Sequence, residues 1–110
     1  MKEDRIYLEH ILEAIESIGA YTQGGWEAFQ GNPMAQDAVI RRFEIIGEAA
    51  KRLSGAATAR HPEIPWREIA GFRDVLIHNY MGVNLRRVWN VIEQNLPDLR
   101  RAVQDLLDIG

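Results

Sequence analysis

The sequence contains no cysteine. No disulfide can form, and no thiolate is available to a metal. There is no long apolar run, which excludes a transmembrane helix of about 20 apolar residues. The opening stretch, MKEDRIYLEH, carries acids where a signal peptide has basic and then apolar residues. A cytoplasmic chain with no membrane partner is therefore expected. Strand-like alternation, internal repeats and low-complexity segments are all missing. Lysine is nearly absent: eleven of the thirteen cations are arginine. Methionine and aromatic residues are sparse.

What remains is a chain of 110 residues with an ordinary apolar share of 46%. That length predicts one domain, residues 1–110, with a core of modest size. The net charge of −3 excludes a uniformly basic surface. Its distribution is uneven. Residues 1–40 have a balance of −5, residues 41–101 a balance of +4, and the last nine residues add −2. Guanidinium suits bidentate contact with phosphate better than ammonium does. A local phosphate-binding face fits these numbers, and so do ordinary surface ion pairs.

Apolar spacing predicts helices throughout. Residues 4–22 place Leu8, Ile11, Leu12, Ile15 and Ile18 on one stripe, with Glu9, Glu13 and Glu16 on the solvated side. Gly24-Gly25 breaks this helix, and Trp26 and Phe29 follow on a short helical turn. Asn32 is a good cap and Pro33 fits the first position of a second long helix, 33–54. Gly47 interrupts it and would let another backbone approach. Arg41 and Arg42, one turn before Glu44 to Glu48, read as paired surface charges. Residues 56–64 read as a linker, and Pro65 restarts a helix that runs to about residue 80. Asn84 is a plausible cap for a helix over 85–95, and Pro97 forces a kink or a fresh start before 97–109. The expected fold is all-α, an antiparallel bundle of four to five helices.

One stretch is unusual in its chemistry. Gly71 to Tyr80, GFRDVLIHNY, offers a fixed cation (Arg73), a carboxylate (Asp74), an imidazole (His78) and a phenol (Tyr80) within eight residues. At about 100° per residue, Asp74 and His78 share a helix face, as do Arg73 and Tyr80. A carboxylate placed like Asp74 can fix the tautomer of His78 and leave its other nitrogen for acid–base work. Arg73 and His78 are separated by roughly 140° around an ideal helix. They converge on one phosphate if Arg73 curls round, if the helix ends near His78, or if a second subunit supplies the partner. A two-fold axis would bring two such segments to one cleft. Arg plus His suffices for RNA cleavage without a metal or other cofactor. The imidazole moves the protons of the 2′-hydroxyl and the leaving oxygen, and the guanidinium offsets charge in the transition state. The ordinary reading makes His78 a helix C-terminal histidine, Arg73 an ion-pair partner and Tyr80 an aromatic at the core edge.

The run Arg73-Asp74-Val75-Leu76-Ile77-His78-Asn79-Tyr80 resembles the R-x4-H-x-Y motif of the HepT family, within the HEPN superfamily. The blocks IIGEAAKRLS (45–54), IPWREIAGFRDVLIHNY (64–80), Val88-Trp89 and Asn95 to Leu99 also resemble that family. The resemblance implies an all-α, HEPN-like bundle that forms a homodimer with two motif copies in a shared cleft. It implies a metal-independent endoribonuclease, the toxin of a toxin–antitoxin module. The partner would be an MntA-like minimal nucleotidyltransferase that transfers AMP to the motif tyrosine and silences the toxin, with a higher hetero-oligomer as one possible assembly. On this sequence Arg73 and His78 would be catalytic, Asp74 and Asn79 supporting, and Tyr80 the modified hydroxyl. Arg86 and Arg87 follow the motif in the first turn of a helix, a poor place for cations, and are candidate RNA contacts. His10, His61 and His78 are too scattered to predict a metal site. A rival reading keeps the same residues but makes the chain a non-catalytic, nucleotide- or protein-binding partner of a nucleotidyltransferase.

Overall fold

The computed structural model describes residues 2–78 and 84–109, apart from the side chains of Lys2, Arg73, Ile77 and His78. Seven helices and no strand occur among the described residues. In chain order they are α1 (Lys2–Tyr21), α2 (Gly25–Gln30), α3 (Pro33–Lys51), α4 (Gly55–Ala59), α5 (Trp66–His78), α6 (Leu85–Gln94) and α7 (Leu96–Ile109). Five of these are the expected long helices. The other two, α2 and α4, are single short pieces at the ends of loops.

The helix boundaries follow local chemistry. Asn32 caps α3: its Oδ1 accepts from the amide of Ala35 at 3.1 Å, with Pro33 at the first helical position. Asn84 caps α6 in the same way, accepting from the Arg87 amide at 3.2 Å. Ser54 caps α4 through a bond from the Ala57 amide at 3.2 Å. The 56–64 stretch is therefore not all linker, as expected from its pattern; its first residues continue α4. Only Ala57 of α4 is buried, so that short helix leaves no apolar periodicity to read. Gly25 is the one described residue with positive φ, at 82°, and it turns the chain from α1 into α2. The break before the last helix falls at Asn95, which places Pro97 in the first turn of α7, where its missing N–H costs nothing.

One cluster of buried side chains joins the helices. Leu8, Ile11, Ile15 and Ile18 of α1 face Val39, Phe43, Ile46 and Ala50 of α3 and Leu99, Val103 and Leu106 of α7. α3 lies between α1 and α5, while α7 backs α1 and carries α6. Phe29, Trp26 and Trp89 stack at one end, with Phe29 and Trp89 centroids 5.5 Å apart. Of α5, Leu76 is buried, whereas Ile69, Phe72 and Val75 are only partly covered.

Candidate active site

α5 begins after Pro65, with the indole Nε1 of Trp66 donating to the carbonyl of His61 at 3.0 Å. From there its helical course is unbroken through Arg73 and Asp74 to His78. The register expected from the sequence therefore holds for the backbone: positions 74 and 78 are one turn apart on one face, and positions 73 and 78 are well apart around the axis. Asp74 is exposed. Asn79 and Tyr80 lie outside the described residues.

The chain matches the model of the ribonuclease HepT-like family over residues 11–106. The chain belongs to the HepT-like ribonuclease family. It is 44% identical over 108 residues to a protein of Caldanaerobacter subterraneus subsp. tengcongensis provisionally named an RNase, covering 97% of this chain and 96% of that one. It is 46% identical over 101 residues to the probable ribonuclease HepT of Thermococcus cleftensis, covering 91% and 92%. A third relative, a Methanocaldococcus jannaschii protein also provisionally named an RNase, is 31% identical over 104 residues, covering 94% and 95%. No solved structure gives a significant match. The all-α architecture is that of this HepT-like family, as the motif resemblance implies.

The other candidate residues divide clearly. Arg86 extends over Trp26, with its guanidinium carbon 4.8 Å from the ring centroid. A cation–π contact of about 0.5–1 kcal/mol gives this cation a packing reason to sit in the first turn of α6. Arg87 is exposed beside it. Arg41 pairs with Glu44 at 3.5 Å and Arg52 with Glu48 at 3.1 Å, the surface ion pairs that the α3 pattern predicts. His10 is exposed and meets Tyr7 edge-on at 6.4 Å. Among the described residues no group of three or more His, Cys, Asp or Glu side chains is placed to hold a metal ion. No described helix is long and apolar enough to cross a membrane.

Sequence reasoning missed two polar anchors near the ends of the bundle. Asp4 is only 4% exposed. Its Oδ1 accepts from the Ser54 amide at 2.8 Å and its Oδ2 from the Ser54 hydroxyl at 2.7 Å. A signal was present: Asp4 lies four residues before Leu8, on the apolar stripe itself. The second anchor is His61, whose Nδ1 lies 2.9 Å from Glu63 and whose Nε2 lies 2.8 Å from Asp105 of α7. Only the imidazolium can donate to both carboxylates. The bond to Glu63 holds the His61 pKa above its ordinary 6.5; burial opposes this and the Asp105 bond adds to it. The same bond lowers Glu63 below 4.5, helped by a backbone hydrogen bond. Through the Trp66–His61 bond this clamp fixes the start of the motif helix.

The clamp makes a pH prediction. A raised histidine pKa contributes stability that is full below 6.5 and is lost as pH rises through the folded value. A lowered carboxyl pKa contributes stability present above 4.5 and lost as pH falls through its folded value. The clamp is therefore at full strength between about pH 4.5 and 6.5. The Tm of the wild type should exceed that of His61→Gln by more at pH 6 than at pH 9. A gap that is constant across that range removes the clamp as a titrating element.

Proposed function

We propose that the chain is a metal-independent endoribonuclease toxin that acts at a cleft shared by two subunits. The observation that carries this reading is the placement of Arg73 and His78 on one unbroken helix, in a chain of the HepT-like ribonuclease family. The two positions lie well apart around the axis of α5, so a single copy of the helix is a poor catalyst. Two copies about a two-fold axis line one cleft, so that His78 of one subunit and Arg73 of the other can act on one phosphodiester.

In this reading one His78 takes the proton from the ribose 2′-hydroxyl. The 2′-oxygen attacks the adjacent phosphorus, the bond to the 5′-oxygen breaks, and an imidazolium returns a proton to that oxygen. Arg73 offsets the charge that gathers on the phosphoryl oxygens. The products are a 2′,3′-cyclic phosphate and a 5′-hydroxyl. Asp74, one turn before His78, orients the imidazole, and Asn79 supports it. The mechanism requires a 2′-hydroxyl, so DNA is not a substrate.

Regulation in this reading falls on Tyr80. A nucleotidyltransferase partner brings ATP, the Tyr80 oxygen attacks the α-phosphorus, pyrophosphate leaves, and the phenol proton is released. The attached phosphate, seven residues after Arg73 in the sequence, competes with RNA for that cation.

The purified wild type is expected to cleave single-stranded RNA in excess EDTA and to leave cyclic phosphate ends, read by mass spectrometry of the fragments. Dependence on added metal, or 3′-hydroxyl ends, would rule this mechanism out. Coexpression with an MntA-like nucleotidyltransferase should raise the intact mass by one or more AMP units. Tyr80→Phe should abolish that increase; an unchanged increase would place the modification elsewhere.

A further inference from the structure

An open groove of about 350 Å³ runs between α3, α5, α6 and α7. Its walls include Ile69 and Phe72 of α5, Val91 of α6 and Leu96 of α7, and Phe43 stands edge-on to Phe72 at 5.2 Å. The rim carries three polar groups: Glu68, Arg87 and Asn95. Glu68 and Arg87 are exposed, and neither joins an ion pair among the described residues. A space of this size, apolar within and with few polar groups at its mouth, has the make-up of a small-molecule site.

Three features tie the groove to the motif. Gly71 and Val75 line its α5 side, and position 78 follows them on the same helical stripe, seven and three residues on. Arg87 belongs to the helix that begins just after the motif. A Cβ added at Gly71 would meet no heavy atom within 4 Å, so the groove is open where α5 passes it. The space thus borders the helix positions on which the ribonuclease reading depends.

We propose that this groove receives one unpaired guanine base of the RNA, beside the scissile phosphate. The inference rests on the ribonuclease reading and adds a base preference to it. The apolar walls, the Phe72 ring among them, suit an unstacked base, and a base can enter only from a single strand or loop. The rim selects which base. A carboxylate accepts from two neighbouring N–H groups, which guanine presents at N1 and N2. A guanidinium donates to two neighbouring acceptors, which guanine presents at O6 and N7. Glu68 and Arg87 supply those two partners, and Asn95 can serve either edge. Adenine lacks the N1 proton that Glu68 would accept, and it places an amino group where Arg87 needs an acceptor.

The test is a calorimetric titration of wild type, Glu68→Gln and Gly71→Leu with GMP and with AMP, beside light scattering and melting curves. The two nucleotides share sugar and phosphate, so their difference reports the base alone. Wild type should bind GMP at least about tenfold more tightly than AMP. Glu68→Gln should remove most of that ratio, and Gly71→Leu should remove GMP binding while its melting remains cooperative. Equal binding of the two nucleotides, or no saturable binding, overturns the proposal. So does a Gly71→Leu chain that changes its oligomeric mass while GMP has no effect on wild type, since the groove is then covered by a second copy. Cleavage of a single-stranded RNA with one guanine separates the two readings. Wild type that prefers GMP yet cuts no RNA supports the pocket and removes the ribonuclease reading. Wild type that cuts RNA at all four bases alike keeps the ribonuclease and removes the pocket.

Discussion

His78→Ala should lower RNA cleavage by about 10²–10⁴-fold, the usual worth of a positioned acid–base group. Arg73→Ala should cost about 10²–10³-fold through lost transition-state charge stabilisation. The chemical prediction requires that both variants keep the helical fold. Unchanged circular dichroism beside lost activity is therefore part of the expected result. The pair also tests the shared cleft. If each site takes Arg73 from one subunit and His78 from the other, a mixed dimer of the two variants holds one intact site and one doubly damaged site. With random pairing, subunit exchange should restore about a quarter of the wild-type rate. If both residues come from one subunit, each site of the mixed dimer lacks one group and no activity returns. Equal cleavage by wild type and both variants would leave the proposed chemistry without support, and the rival reading as a non-catalytic nucleotidyltransferase partner would take its place.

Asp4→Ala should be the most damaging single polar substitution for stability. Asp4 is buried, and its two oxygens take the amide and the hydroxyl of Ser54 at 2.8 and 2.7 Å. Truncation strands the Ser54 amide and frees its hydroxyl from the orientation that caps α4. Losing two charge-assisted bonds costs about 2–3 kcal/mol. For a chain of this size that lowers Tm by roughly 10 °C. Glu3→Ala is the matched control: it removes an exposed acid from the same first turn of α1 and should change stability by about 0.5 kcal/mol or less. If the two variants melt together, the Asp4–Ser54 contact is not a structural anchor. The prediction is also independent of RNA, so it tests the packing of α1 on the α3–α4 corner whatever the chain's activity.

The two predictions draw on different kinds of information. Arg73, Asp74 and His78 were legible because their spacing is local: a helix fixes which residues share a face within a few positions. The caps at Asn32 and Asn84 and the apolar stripes of α1, α3 and α7 were legible for the same reason. The short helix α4 was not, since one buried alanine makes no periodic pattern. Arg86 looked like a cation without a structural motive until the indole of Trp26, sixty residues earlier in the sequence, was placed beneath it. Asp4 was legible only through its place four residues before Leu8 on the apolar stripe.

By itself the sequence determined the all-α class, the five long helices and their caps, and the motif with its angular split on α5. It determined the family as well, through a match that spans residues 11–106. These follow from contacts between near neighbours in the chain, or from the order of residue types. Only the tertiary structure decided which long-range partners meet: Asp4 with Ser54, His61 with Asp105, Arg86 with Trp26, and the four helices that enclose the groove beside α5. Each joins side chains from elements far apart in sequence. Their meeting depends on how the helices pack, and helix periodicity carries no record of that.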